Sequence, residues 1–209
     1  CVPCKKGKQH KKPHKGKKQN SIDSTFELLH MDLFGPVNTR SIGGNWYCLV
    51  ITDDYSRFSW VFFLEKKGDT ANTIIDFLNQ AENAYGKCVK RLRSDNGTEF
   101  KNSLLNFHCL HKGIIHQFSA PYEPQQNGVA ERKNRTLIEA ARTMLADSRL
   151  PTTFWDEAVN TACHVLNRVL TVKALNKTCY ELFTNRRPNL SRFEPFGVPC
   201  TLLKTKDQP

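Results

Sequence analysis

Hydrophobic residues recur at strand spacing soon after Ser21 and predict three β-strands. The apolar runs cover residues 27–34, 46–53 and 58–64. The last two are rich in Val, Ile, Phe and Trp, which favour strands, and the polar residues 53–57 separate them. We therefore expect a hairpin over these two runs, preceded by one further strand.

Helical periodicity follows over residues 69–85, with Asp69 or Thr70 as the N-cap and Gly86 as the stop signal. One face of this helix is predicted to be buried: Ala71, Ile74, Leu78, Ala81 and Tyr85. The next elements are predicted in the order strand, helix, strand, at residues 89–94, 103–112 and 114–118. Three strands followed by strand–helix alternation indicate an α/β protein.

The second half of the chain is predicted to be mainly helical. Pro121, Pro124 and Gly128 indicate a mobile loop over residues 119–128, and the long helix after it contains Glu131. Its buried stripe is predicted to be Ala130, Leu137, Ala141 and Met144. The adjoining stripe is Glu131, Arg135, Ile138 and Arg142. Glu131 is therefore expected to border the core.

Two further segments complete the pattern. A second amphipathic helix is predicted to begin after Pro151, with Thr153 as its N-cap. Its inward positions are predicted to be Trp155, Ala158, Ala162, Val165 and Val169. Beyond it, the alternation that starts at Phe193 favours a strand.

Charge is distributed unevenly along the 209 residues. The chain carries 31 Lys and Arg against 20 Asp and Glu, a net charge of +11. Residues 5–18 contain eight of the lysines and no acid, so this tail cannot bury a core and is predicted to be extended or disordered. The excess charge points to a polyanionic partner, but it does not distinguish DNA from RNA or an anionic membrane. No apolar run approaches the length of a membrane span.

The cysteines indicate a reducing compartment. Five of the eight fall in apolar or helical segments and are predicted to be buried free thiols: Cys48, Cys88, Cys109, Cys163 and Cys179. Because the first residue is Cys1 rather than Met, we interpret the chain as part of a longer polypeptide.

Three carboxylates form a candidate metal site. Asp32 lies within an apolar strand, Asp95 ends another strand, and Glu131, separated from Asp95 by thirty-five residues, opens a helix. Carboxylates on rigid elements can hold two hard cations about 3.5–4 Å apart for phosphoryl transfer. Asp53 and Asp54 are rivals for this role, although a bond to Arg57 or to a backbone amide is favoured for them. Asp95 can also form a turn with the two residues after it.

Several longer stretches carry a family resemblance: CVPCKKGKQHK, ELLHMDLFGPV, VITDDYSRFSWVFFLEKK, RSDNGTEF, PYEPQQNGVAERKNRTL, FWDEAVNTACHVLNRVL and RFEPFGVPC. The sequence resembles the integrase region of copia-type LTR-retrotransposon Pol polyproteins, within the retroviral integrase and DDE-transposase superfamily. The resemblance implies an RNase H-like fold, with a mixed five-stranded sheet flanked by helices. It also implies three regions: the end of an HHCC zinc domain with a Lys-rich linker (1–20), the catalytic core (21–185), and a linker with the start of an SH3-like β-barrel (186–209).

The activity implied is integration of element DNA into host DNA, by 3′-end processing and strand transfer. Asp32, Asp95 and Glu131 would hold two Mg²⁺ or Mn²⁺ ions, and Glu99 matches a position outside this triad. The implied partners are element DNA ends, host target DNA, further copies of the chain and other Pol domains. The implied location is intracellular: the nucleus for function, and a virus-like particle or the cytoplasm before that.

DNA contacts are expected from the loop, the long helix and the tail: Gln126, Asn127, Arg132, Lys133, Arg135, Lys11, Lys12 and Lys15. Arg135 matches a basic DNA-contacting position of the family, whereas Ile138 stands where some relatives have a second lysine. The alternative for the helix is a solvated basic face.

Zinc is expected only in a longer polypeptide. Cys1 and Cys4 have the spacing of two zinc ligands, and the resemblance assigns them to the HHCC domain, whose histidines would lie upstream. His10 and His14 are local alternatives, but the five residues between Cys4 and His10 are short for a finger. We therefore expect an incomplete site. Two alternatives to the integrase remain open: an RNase H-type nuclease, and an inactive remnant that only binds nucleic acid.

Overall fold

The computed structural model describes residues 22–119 and 127–201. A five-stranded mixed sheet lies at its centre. The strands are β1 (Leu28–Phe34), β2 (Tyr47–Asp53), β3 (Ser59–Leu64), β4 (Arg91–Ser94) and β5 (Ile115–Phe118). Their spatial order is β3-β2-β1-β4-β5, with β1, β2 and β3 antiparallel and with β4 and β5 parallel to β1. All five predicted strands are confirmed, with boundaries that differ by at most two residues.

The helices are α1 (Thr70–Tyr85), α2 (Ser103–Lys112), α3 (Gly128–Ser148), α4 (Trp155–Val169) and α5 (Cys179–Thr184). Gly86 and Gly113 end α1 and α2 in the left-handed region, at φ values of 61° and 68°. Glycine adopts this conformation without the strain that a Cβ atom imposes. A two-stranded hairpin, β6 (Thr171–Val172) with β7 (Lys177–Thr178), joins α4 to α5.

Helices cover both faces of the sheet. On one face, α1 and α2 pack over Leu29, Met31, Leu49 and Ile51. On the other, α3 and α4 pack over Cys48 and Val50, with Phe34 at the edge. Full burial of a Leu or Ile contributes about 1.5–3 kcal/mol to stability, so each face adds substantially to the core. The fold is therefore the predicted RNase H-like α/β arrangement.

The two-residue period of β1 determines where its polar side chains lie. Leu29 and Met31 face the α1 layer, so the alternate residues His30 and Asp32 face the layer that contains α3. The hydrogen bond between Asp32 and Asn134 of α3 agrees with this assignment. A partly polar strand thus directs a carboxylate towards the start of the longest helix.

Several predicted details are wrong. Tyr85 is 49% exposed, because it lies at the end of α1 with only its ring against Phe26 and Phe183. Thr153 lies in a 3₁₀ turn and does not cap α4, whose N-cap is Phe154. Val169 is exposed, because the inward face of α4 uses Val159 and Cys163. Residues 193–201 form turns and irregular backbone, not a strand. Cys88 is an exposed thiol, whereas the other four predicted cysteines are free and buried.

Some predictions fall outside the described residues. They are the Lys-rich tail within residues 1–21 and most of the loop over 119–128. Within the described ranges, the structure contains no helix that is both long enough and apolar enough to span a membrane.

Candidate active site

Asp32 lies near the end of β1 with limited hydrogen bonding. Its Oδ1 accepts from the backbone N–H of Leu33 at 3.1 Å, and its Oδ2 accepts from Nδ2 of Asn134 at 2.8 Å. The pKa of this carboxyl is raised to about 6. Burial is the largest cause, and the negative charges of Asp95 and Glu131 contribute to the same shift. None of the groups that contribute most to this pKa shift is a cation. Asp32 is therefore a partly buried acid without a dominant cationic partner.

Asp95 follows β4 directly and is held by a local turn. Its Oδ1 accepts from the backbone N–H of Gly97 at 2.9 Å, which is the turn that the sequence suggested. Asn96 donates from Nδ2 to the carbonyl of Ser119, tying this segment to the residue after β5. The turn places Asp95 at the carboxyl end of a parallel strand, where α/β sheets commonly position functional groups.

Glu131 lies in the first turn of α3. Its side chain is exposed rather than bordering the core. It lines an open groove between β1 and α3 whose other lining residues are Asp32, Phe34, Asn134, Arg135, Ile138, Glu139 and Arg142. The structure therefore brings Asp32 and Glu131 into one groove, while Asp95 acts on Asp32 electrostatically from beside it.

The donor set fits a hard divalent cation. Within residues 22–119 and 127–201, no group of three His, Cys, Asp or Glu side chains is close enough to hold an ion. The pKa of Asp32 is nevertheless raised by burial and, to a smaller extent, by the charges of Asp95 and Glu131, and a bound cation would offset both effects. Oδ1 of Asn134 is buried and accepts no hydrogen bond from the described residues. Carboxylate and amide oxygens are ligands that Mg²⁺ and Mn²⁺ prefer.

The two rival aspartates have structural partners. Asp53 is fully buried and accepts from Phe26 N at 2.8 Å, Ser56 N at 2.8 Å and Ser56 Oγ at 2.6 Å. Asp54 Oδ1 accepts from Arg57 Nη1 at 3.0 Å. The predicted bonds to Arg57 and to backbone amides are confirmed. Glu99, which is predicted to lie outside the metal site, pairs with Lys67, whose Nζ is 3.1 Å from its Oε2.

Asp54 also pairs with a buried histidine of β1, His30. Its Oδ1 lies 2.7 Å from Nε2 of His30, the residue two positions before Asp32 on the same face of β1. Burial lowers the pKa of His30, although the carboxylate of Asp54 opposes that shift. The Asp54–Arg57 turn is thereby connected to the strand that carries Asp32.

Lys133 differs from the DNA-contact prediction. Only 7% of the residue is exposed, and its Nζ donates to the backbone carbonyl of Arg57 at 3.2 Å. Burial lowers its pKa. The cluster of cations on α3 favoured a DNA contact, but Lys133 lies on the inward side of the helix. It fastens the start of α3 to the β2–β3 turn, so it is not available to a phosphate in this structure.

The other predicted DNA contacts divide into three groups. Arg135 lines the groove, and Arg132 is exposed with its guanidinium over Gly128. Asn127 is 2% exposed, buried at the N-cap of α3. The remaining predicted DNA contacts lie outside the described ranges: Lys11, Lys12, Lys15 and Gln126. The zinc-site candidates lie outside them too: Cys1, Cys4, His10 and His14.

Asn134 is the site residue that sequence reasoning missed. It is 5% exposed, and its amide is directed at Asp32. Its position three residues after Glu131 places the two side chains on neighbouring parts of the helix surface. That spacing was the available signal, but an Asn within a polar helix segment is usually an ordinary surface residue.

Comparison with known protein families shows the relationship directly. Residues 23–124 match the family described as "Integrase core domain". The chain is 37% identical over 208 residues to the retrovirus-related Pol polyprotein of a Nicotiana tabacum transposon, covering 100% of this chain and 16% of that protein. It is 32% identical over 208 residues to a Gag-Pol polyprotein of a Saccharomyces cerevisiae transposon, covering 95% of this chain and 13% of that protein. The chain therefore spans less than a fifth of the length of these relatives.

Solved structures support the fold. A simian T-cell lymphotropic virus intasome structure matches with a TM-score of 0.66 and 21% identity, over 99% of this chain and 69% of that one. The HTLV-2 integrase catalytic core in complex with magnesium matches with a TM-score of 0.57 and 22% identity, over 76% and 97% of the two chains. The predicted resemblance is confirmed: the chain contains an integrase core domain and is similar to the Pol polyproteins of plant and yeast transposons, consistent with a copia-type integrase region.

Proposed function

We propose that this chain is the catalytic core of a retrotransposon integrase, a polynucleotidyl transferase that joins element DNA to host DNA. One observation carries the proposal. Asp32 is a partly buried carboxyl whose pKa is raised to about 6, and Asp95 and Glu131 contribute to that shift. A partly buried acid with two further acids close enough to raise its pKa is typical of a site for divalent cations.

Asp32, Asp95 and Glu131 are the proposed ligands of Mg²⁺ or Mn²⁺, with the buried Oδ1 of Asn134 as an adjacent oxygen. When bound, two such ions activate the attacking hydroxyl and stabilise the leaving oxygen in phosphodiester chemistry. No side chain then needs to act as a covalent nucleophile. The magnesium named with the HTLV-2 integrase core supports this choice of ion.

The remaining groove residues position the reactants. The backbone N–H of Leu33 and the amide of Asn134 orient the Asp32 carboxylate. Arg135 and Arg142 lie in the same groove and are proposed to bind phosphates of the element DNA. Contacts to phosphates carry no sequence information, so weak target preference is expected.

Other assignments remain part of the proposal. Gln126 and the tail lysines Lys11, Lys12 and Lys15 are proposed to contact DNA, and trimming of the 3′ end is proposed to precede joining. The "intasome" and "trimeric form" named with the structural relatives support a homo-oligomer. A nuclear site of action follows from the proposed use of host DNA.

The direct test is a strand-transfer assay with labelled element ends, a plasmid target and Mg²⁺. The chain should be assayed alone and within a longer polypeptide that includes its flanking regions. Glu157→Gln is a matched control for Glu131→Gln, because both acids lie in the first turn of a helix and Glu157 lies outside the groove. Joining by the wild type and Glu157→Gln, but not by Glu131→Gln, is expected.

The same assay separates the alternatives. Cleavage of an RNA–DNA hybrid without DNA joining would indicate the nuclease. DNA binding without joining or cleavage in the longer polypeptide would indicate the inactive remnant. Full strand-transfer activity of a folded Glu131→Gln variant would contradict the proposed metal site.

A further inference from the structure

The outward face of α2 carries an apolar stripe that the fold does not use. Leu104, Phe107 and Leu110 are 50%, 70% and 82% exposed. A spacing of three residues places them along one side of a helix. Three of the eleven exposed large hydrophobic residues in the described ranges therefore fall on this ten-residue helix.

The helix is secured without the stripe. Leu105 and Cys109 face inward and are 0% and 3% exposed. Oδ1 of Asn102 caps the first turn by accepting from Leu104 N at 2.8 Å, and Gly113 ends the helix. Solvent-facing positions of a surface helix are normally polar, and a contiguous apolar patch commonly marks an interaction site.

Two lysines flank the stripe, whereas burial lowers the pKa of His108 and His116 and keeps these rings neutral. Residues 100–119 contain two lysines and three histidines but no Asp or Glu. Lys101 precedes the helix and Lys112 ends it, so positive charge brackets the apolar side chains. Lys112 is partly compensated by Glu82 of α1 at 2.7 Å. The His111 ring lies nearly parallel to that of Phe107, with 8° between the planes and centroids 6.4 Å apart.

This charge pattern selects among possible occupants. A second copy packed antiparallel through the same face would bring Lys101 of one helix against Lys112 of the other. The Lys-rich N-terminal segment has the same sign of charge. A nucleic acid would meet the cations but would also cover two aliphatic leucines, which offer no stacking surface. The complementary partner combines apolar side chains with carboxylates.

We propose that α2 docks an acidic, amphipathic segment of another polypeptide. Apolar side chains of the segment cover Leu104, Phe107 and Leu110, and its carboxylates lie against Lys101 and Lys112. Helical anchors at successive turns are a common mode of peptide recognition. A standard interface buries about 800 Å² on each partner, which is more than three anchoring side chains cover. We therefore expect a weak and transient contact.

The test is a selection of displayed random peptides against the full 209-residue chain. Counter-selection uses the variant Leu104→Ser/Phe107→Ser/Leu110→Ser, which keeps every charge and therefore removes peptides that bind only the basic tail. Peptides rich in Asp and Glu with large apolar residues are expected to survive. Binding should weaken at least about tenfold in Phe107→Ser, as for an interface anchor.

Ile42→Ser is the matched control, because Ile42 is 65% exposed but lies outside α2; it should leave binding unchanged. Circular dichroism should show that all variants keep the wild-type fold, since the substituted side chains are exposed. The proposal is overturned if no surviving peptide distinguishes the wild type from the triple variant, or if the survivors are neutral or basic. It is also overturned if Phe107→Ser abolishes self-association of the chain instead, or if Ile42→Ser weakens binding as much as Phe107→Ser.

Discussion

Asp32 and Asp53 lie on adjacent strands, yet their surroundings differ in a way that separates function from structure. Asp53 is fully buried and receives three hydrogen bonds, two of them from one residue, Ser56. Asp32 is only partly buried and receives two, one of them from its neighbour Leu33. Burial raises the pKa of both acids, so burial alone does not identify the functional one.

The difference lies in what balances the charge. Hydrogen bonds from Ser56 and Phe26 offset the effect of burial at Asp53. At Asp32 the charge of Asp95 is the second-largest influence after burial, Glu131 adds to it, and the hydrogen bonds from Leu33 and Asn134 oppose them. At Asp53 the one acidic neighbour among the main influences, Asp54, has the smallest effect. Neighbouring acids without compensating positive charge do not stabilise a fold, whereas a cation-binding site requires them. The useful signal is therefore an incompletely satisfied carboxyl with acidic neighbours.

The largest expected effect is on catalysis. Asp32→Asn, Asp95→Asn and Glu131→Gln should each reduce Mg²⁺-dependent strand transfer by at least about 10²-fold, because each removes a charge that stabilises the reacting centre. Folding should survive, since loss of one acid relieves repulsion in the metal-free protein. Strand-transfer rates with circular dichroism as the folding control provide the check. Undiminished transfer in any one of the three would exclude that residue from the site.

The opposite behaviour is expected at Asp53. Asp53→Asn should lower the free energy of unfolding by roughly 2–4 kcal/mol, because an amide cannot accept all the bonds that the buried carboxylate accepts. Urea denaturation measures the change. Asp76→Asn, at an exposed position of α1, is the matched control and should be nearly neutral. Equal stability of the two variants would contradict the structural role of Asp53.

The pH dependence of stability should expose the raised pKa of Asp32. Its folded value of about 6 lies above the reference value of 3.8. The stability it contributes is therefore fully present below about pH 4 and is lost as the pH rises through 6. Without metal, the unfolding free energy of the wild type should fall over this window relative to Asp32→Asn, by up to about 3 kcal/mol. Parallel pH profiles of the two proteins would contradict the assignment.

A smaller effect should separate Lys133 from Arg135 on the same helix. Arg135→Met should reduce the slope of log DNA affinity against log salt concentration by roughly 0.9, the loss of one phosphate contact. Lys133→Met should leave the slope unchanged, because its Nζ binds the carbonyl of Arg57. Binding isotherms at several salt concentrations measure both. An equal decrease of the slope in both variants would show that Lys133 also contacts a phosphate.

Periodicity predicted the sheet and the helices well because the two layers of the core impose it directly. The three acids were predicted from the family resemblance, because their positions in regular elements alone do not distinguish them from other acids. The structure places two of them, Asp32 and Glu131, in one groove. The side-chain partners could not be predicted from sequence. The predicted stripe of Ala130, Leu137 and Ala141 fixes the rotation of α3 and places positions 133 and 134 on the same side, but the pattern does not identify the groups that these polar side chains bind. The same rotation directs Asn134 at Asp32.

The errors had local causes. Thr153 has the chemistry of a helix cap, but a 3₁₀ turn at Thr152–Phe154 delays the start of α4. The alternation after Phe193 resembles a strand, yet Phe196 packs against the α3–α4 cluster. At Phe196, tertiary packing outweighed strand propensity.

The most direct test of the proposed cation site is a ¹³C NMR titration of the Asp32 carboxyl in the 209-residue chain, with and without Mg²⁺. We predict a pKa of about 6 without metal and a marked decrease when Mg²⁺ is added, because the cation stabilises the carboxylate. Asp54, which is paired with Arg57, should respond little to Mg²⁺. A metal-free pKa near 3.8, or a pKa that Mg²⁺ leaves unchanged, would contradict the assignment of Asp32 to a metal site.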